Sequence, residues 1–193
     1  MPEIYVRSQA GALRQGEIIT DLVQFRLAIE TLEANDQVAE YESHPFAIVL
    51  SQDCDLDQDW RARQPEAAID KNAERRLLPS ILFAQVHEAA NLRGRVEGGE
   101  MWRRIKQNKD ERYHFLQAIT QAEDALDRGL PELGIDFKRY FAIPTDEVYQ
   151  RSRKDARRRC RLVSPYLEHL SVRFCYYQFR VALPAEHESI PIA

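Results

Sequence analysis

Apolar positions recur with strand spacing through the first two thirds of the chain and with helix spacing in the last third. In residues 16–25, Ile18, Thr20, Leu22 and Gln24 alternate with Ile19, Asp21, Val23 and Phe25, which predicts a strand with one buried face. Residues 26–40 fit neither period, and Leu27, Ile29, Leu32 and Val38 leave loop, strand and short helix open. Residues 45–51 form a short apolar run rich in β-branched side chains and entered by Pro45, the pattern of a central strand. The polar stretch 52–76 opens with aspartates at alternate positions (Asp53, Asp55, Asp57, Asp59) and predicts a long loop with some helix at 65–75. Strand character returns at 81–86, 112–116 and 136–143. A helix is expected over 102–108, a turn at Gly98-Gly99, and an exposed polar segment at 120–128.

The last third changes period. Thr145, followed by Asp146 and Glu147, is suited to cap a short helix reaching Tyr149. Ser164-Pro165 supplies an N-cap with Pro at the first helical position. Beyond it Tyr166, Leu170, Phe174, Tyr177 and Val181 recur every three or four residues, predicting a helix to Leu183, stopped by Pro184. Its aromatic stripe reads as core, with an oligomer or partner interface as the other reading.

The chain has 193 residues, 44% of them hydrophobic, enough for a real core, and is taken as a single domain, 1–193. No window approaches the roughly 18 consecutive apolar residues of a membrane span, and no secretory signal pattern opens the chain. A cytoplasmic protein without membrane contact is expected. The three cysteines, Cys54, Cys160 and Cys175, cannot all pair and form no Cys-x-x-Cys, which excludes a disulfide framework. The net charge of −4 hides an asymmetry: residues 1–100 carry 10 basic and 18 acidic side chains, residues 101–193 carry 17 and 13. Most of the basic excess lies in 151–161, where Arg151, Arg153, Lys154, Arg157, Arg158, Arg159 and Arg161 oppose Asp155 alone.

Gly16-Glu-Ile-Ile followed by His44-Pro-Phe-Ala-Ile-Val-Leu-Ser51 resembles the opening of the MazF/PemK family of toxin ribonucleases, in which Gly-Asp-Ile begins one strand and Arg-Pro-Ala-Val-Val-Leu-Ser the next. Residues 81–86 are similar to that family's third strand. Phe141-Ala-Ile-Pro, Arg159-Cys-Arg-Leu162 and the Ser164-Pro165 helix look like its last strand and closing helix. The likeness is discontinuous, because 52–80 and 100–135 have no counterpart in compact members. It implies an α+β fold: a small antiparallel β-barrel with those two insertions and a C-terminal helix, with a homodimer as one assembly. The family's chemistry uses an Arg before the strand-opening Pro and a Thr or Ser ending the next strand. Here His44 and His87 occupy those positions. Either activity is lost, or two imidazoles, which ordinarily titrate at about pH 6.5, act as general acid and base. Loss of the Arg removes a fixed charge from the phosphate site, which favours the first reading.

The resemblance therefore implies a regulatory or defence-system protein that binds a protein partner (an antitoxin, a sigma-factor-like protein sequestered in an anti-sigma-type role, or a defence-complex subunit) or RNA. The alternative is a metal-independent endoribonuclease toxin using His44 and His87. The 151–161 run, extended by Arg103, Arg104, Lys106 and Lys109, is the candidate surface for RNA or an acidic protein, with Trp102 and Tyr113 available to stack on bases. A solvated charged face is the plain reading of the same run. Ser51-Gln-Asp-Cys-Asp55 offers possible metal ligands but none of the paired Cys or His spacings of zinc sites. It reads as a turn in which Asp53 and Asp55 bond their own backbone and Cys54 packs as a small apolar group. No metal or cofactor is expected. His114, set among apolar residues, reads as a core or edge histidine.

Overall fold

The computed structural model describes residues 3–29, 37–69 and 72–179. Seven strands, β1 (Tyr5–Arg7), β2 (Glu17–Ile29), β3 (Gln37–Val49), β4 (Ser80–Glu88), β5 (Tyr113–Leu116), β6 (Leu133–Pro144) and β7 (Arg157–Leu162), form one antiparallel sheet in the order β1-β7-β2-β3-β4-β6-β5. Five helices complete the mixed fold: α1 (Asp53–Ala62), α2 (Ala89–Arg95), α3 (Gly99–Lys106), α4 (Thr145–Lys154) and α5 (Tyr166–Gln178). Among the described residues, no helix is long and apolar enough to cross a membrane.

Among the described residues no ladder joins the edge strands β1 and β5, so the sheet is not closed into the expected barrel. Side chains bridge the seam instead. The Tyr5 hydroxyl donates to Gln117 O at 3.0 Å, and Arg7 donates to Ala122 O and Gln121 O. The segment from 117 to 130 straps the gap, with Ile119 bridging Leu130 and Ala125 N donating to Arg159 O. Tyr5 is wholly buried, and burial pushes its hydroxyl pKa up.

The long hairpin of β2 and β3 bends where one pair, Asp21 and Pro45, drops out of the ladder between Thr20↔Phe46 and Leu22↔His44, with the register the same on both sides. The bend has a local cause on each strand: Pro45 has no N–H for the ladder, and Asp21 adopts a left-handed φ of 59°. Alternation resets there, so that Ile19 and Leu22, three apart, enter the same core cluster. The far half of the hairpin then reaches across the sheet. Gln24 Nε2 donates to Ala142 O, and Phe25 N donates to Glu147 of α4.

Each face of the sheet is covered. On one, α5 lays Leu167, Leu170, Phe174 and Tyr177 over Ile18, Ile48, Val86, Ile135 and Phe137. On the other, α1 and α4 contribute Leu56 and Val148 to a cluster with Ile19, Ala47, Phe83 and Ile143. A smaller cluster joins Leu92 and Val96 to Ile105 and Tyr113. Gly134 lets α2 approach: a Cβ there would stand 2.5 Å from Leu92 Cδ2.

Several sequence expectations change. Residues 53–62 form a helix rather than a loop. Asp53 and Asp55 sit in its first turn, where the dipole favours them, and Asp57–Arg61 and Asp59–Arg63 pair one turn apart. The indeterminate 26–40 is strand at both described ends, while its centre, 30–36, lies outside the described residues. The helix expected at 102–108 begins at Gly99, and the one at 145 continues to Lys154 with Pro144 rather than Thr145 at the cap. Pro165, not Ser164, caps α5, which ends at Gln178; residues 180–183 of the expected extension lie outside the described residues. The segment 120–128 is not simply exposed, because Asp124 is fully buried.

Candidate functional site

His87 lies near the end of β4 opposite Gly134 of β6, beside Gln85, which faces Asp136. The charges of three arginines act on His87. Arg112 grips Asp136 through two hydrogen bonds of 2.7 and 2.6 Å, and Arg139 donates to Gln85 with its Nε 3.9 Å from Asp136. Arg95, at the exposed end of α2, is the third. The imidazole is half-buried with no hydrogen bond on Nε2, and burial, followed by the Arg95 charge, lowers its pKa; Asp136 opposes and Arg139 and Arg112 reinforce the shift. An anion beside Arg95 and Arg139 would offset those positive charges and accept from their guanidinium N–H groups.

His44 stands elsewhere. It is buried just past the hairpin bend, its ring stacked on Phe141 at 3.9 Å and 10°, with Nε2 3.3 Å from Gln24 Oε1. Such a ring is packing and hydrogen bonding inside the fold, with no face left for a substrate, whereas His87 borders the arginines.

In comparisons with known proteins, no family model, no curated protein and no solved structure matches this chain.

The 151–161 run does not form one basic face. Arg151 pairs with Glu147 and Asp155 along α4, and Arg153 and Lys154 end that helix. On β7 the register slips between Ile18 and Ile19, whose partners are Cys160 and Arg158, so Arg159 is an extra, bulged residue. Its guanidinium turns inward, clasping Asp124 at 2.8 and 2.7 Å and donating to Gly129 O. Burial opposes ionisation of Asp124, but Arg159 and the backbone N–H groups of Leu126 and Arg128 outweigh it and hold the carboxyl at about 2. Arg158 is spent likewise on buried Glu17 and on the carbonyls of Gly11 and Ala12. Arg157 is exposed, and Arg161 borders a cleft with Arg14, Asp57 and Trp60. On α3, Arg103 pairs with Glu100, while Arg104 faces a cleft shared with Glu97, Glu100 and Asp110.

The Ser51–Asp55 string is a junction between elements. Asp53 accepts from Gln15 N and Arg14, Ser51 Oγ accepts from Leu82 N, and Asp59, fully buried, accepts from Leu78 N and Arg63. Asp53 therefore serves another segment's backbone, not its own, and Cys54 is exposed rather than packed. Among the described residues, no three His, Cys, Asp or Glu side chains gather as a metal-holding group.

Sequence reasoning passed over two features. Arg95, Arg112 and Arg139 are far apart in the sequence, and only the fold brings their charges to bear on His87. His114, on edge strand β5, has its ring 5.3 Å from that of His169 on α5.

Proposed function

We propose that the protein is a binding protein of MazF/PemK-like descent, with a regulatory or defence role, that holds the phosphates of single-stranded RNA at the arginine-ringed His87 and does not cleave them. The observation that carries this is electrostatic. Of the four charged groups acting on His87, three are arginines, and two of them, Arg95 and Arg139, are exposed enough to meet a phosphate. The reading without cleavage is supported by His44, which is sealed against Phe141. Trp102, partly buried under Arg93 at 6.0 Å, gives the adjoining α2–α3 surface an aromatic component.

A protein partner is the second reading, and α5 favours it. Val172, Tyr176 and Phe179 are 66%, 58% and 80% exposed and recur at helical spacing on the side turned from the core.

Fluorescence anisotropy with a labelled single-stranded RNA tests the first reading. Binding is expected to weaken with salt, and Arg95→Ala and Arg139→Ala should each reduce the slope of log affinity against log salt by about 0.7. Salt-independent binding, or binding unchanged in both variants, would remove this site. RNA fragments ending in cyclic phosphate, lost in His87→Ala, would establish the endoribonuclease instead. A stoichiometric second chain bound without RNA, and released by Tyr176→Glu, would establish the protein partner.

A further inference from the structure

The seam between the sheet's two edges contains a cavity of about 210 Å³, small beside the roughly 300–1,000 Å³ of drug-sized ligand sites. One wall comes from Ile4 and from Tyr5 of β1, the other from β5 through His114 and Leu116, and α5 roofs it with Tyr166 and His169. Lys106, the last residue of α3, stands at its margin.

Three observations give this cavity a chemistry. His114 is only 3% exposed, yet its Nδ1 has no hydrogen-bond partner, although buried polar atoms are nearly always satisfied. The second imidazole, His169, lies beside it. The charged lining is one-signed: Lys106 lines the cavity and, among the described residues, no carboxylate does. The remaining charges are accounted for by element. From α5, Arg173 acts on both imidazoles while donating to the carbonyls of Asn108, Asp110 and Tyr113. From the α3–β5 connection, Asp110 and Glu111 act on Arg173, and from the strap Glu123 acts on Tyr5.

We propose that the seam cavity binds a small organic anion, a carboxylate with an apolar body, whose charged end meets Lys106 and the His114–His169 pair and whose body rests on Ile4, Leu116 and Tyr166. The orphaned imidazole nitrogen then gains a partner, and the cation at the margin gains a counter-charge. Burial, His169 and Arg173 hold the His114 imidazole down at about 3, so it enters the site neutral and can donate one N–H without releasing a charge into the core. The site is separate from the arginine-ringed surface at His87, and its occupancy does not depend on RNA binding.

Benzoate, with benzamide as its neutral counterpart and inorganic phosphate as an anion without a body, tests the assignment on the intact chain. In a titration followed by the imidazole proton resonances, benzoate is expected to move the His114 and His169 signals saturably while leaving that of His87 in place. Benzamide should bind about tenfold more weakly or worse, the loss expected for a missing charged hydrogen bond. Lys106→Ala and His169→Ala, both at accessible positions, should each weaken benzoate without altering the melting transition by more than a few degrees. Unmoved His114 and His169 signals at saturating benzoate would overturn the proposal, as would equal binding of benzamide. An equal response to phosphate would overturn the apolar-bodied ligand.

Discussion

The pairing of Arg159 with Asp124 shows how a charged residue changes meaning once its neighbours are known. Within a run of seven cations, Arg159 is indistinguishable from Arg157 by composition, but the bulge at its position turns it inward onto a wholly buried carboxylate. Asp124 has its carboxyl depressed to about 2 from an ordinary value of 3.8. A depressed acid stabilises the fold above its unfolded pKa, and that contribution is lost as pH falls through the folded one. The window is thus about pH 4 down to about pH 2, and the amount at neutral pH is of the order of 2 kcal/mol. Asp124→Asn should lower the unfolding free energy in urea at pH 7 and flatten the acid limb between those values. Arg159→Ala, which strands the carboxylate, should cost more, about 3–5 kcal/mol. Equal costs for the two variants would show that the pair is not buried as described. Nothing in the linear order of residues 120–128 signals this role, because the partner is 35 positions away.

Elements whose own residues determine them are the legible ones. The apolar run at 45–51, the recurrence of Leu170, Phe174 and Tyr177, and the alternation at 81–86 appear in the structure as β3, α5 and β4, since burial on both sides or one side leaves a local pattern. The helix α1 escapes because alternate aspartates imitate a turn, and only pairing with Arg61, Arg63 and Arg14 shows their helical faces. The hairpin bend belongs to this scale as well. It rests on Asp21 in a left-handed conformation that β-branched residues resist and glycine accepts. Asp21→Val is therefore expected to destabilise the fold by about 1–2 kcal/mol, with Asp21→Gly close to neutral, both measured by urea denaturation. A cost for glycine matching that for valine would mean the side chain of Asp21, not its φ, holds the bend.

At the scale of the whole molecule, local patterns mark β2 to β6 but neither the three-residue β1 nor the arginine-rich β7, and closure is not marked either. Whether a curved sheet seals depends on whether its first and last strands come within a ladder's reach, and no residue of β1 or β5 encodes that alone. The same holds for the arginines around His87, assembled from α2, the approach to β5 and the bulged part of β6. Because β1 and β5 each have one strand neighbour, their amides should exchange with solvent by local opening well before those of β2, β3 and β4. Hydrogen exchange measured residue by residue checks this, and equal protection at Tyr5 and Ile48 would contradict it.

The hydroxyl of Tyr5 reaching Gln117 O is then more than a buried contact. Mechanically the sheet is a split ring, and this bond, with Arg7 on Gln121 and Ala122, is its buckle. A ring fastened by side chains can spring open without any strand unpairing. Tyr5→Phe should therefore hasten exchange on both sides of the split while leaving the opposite arc, β2 through β4, as slow as before.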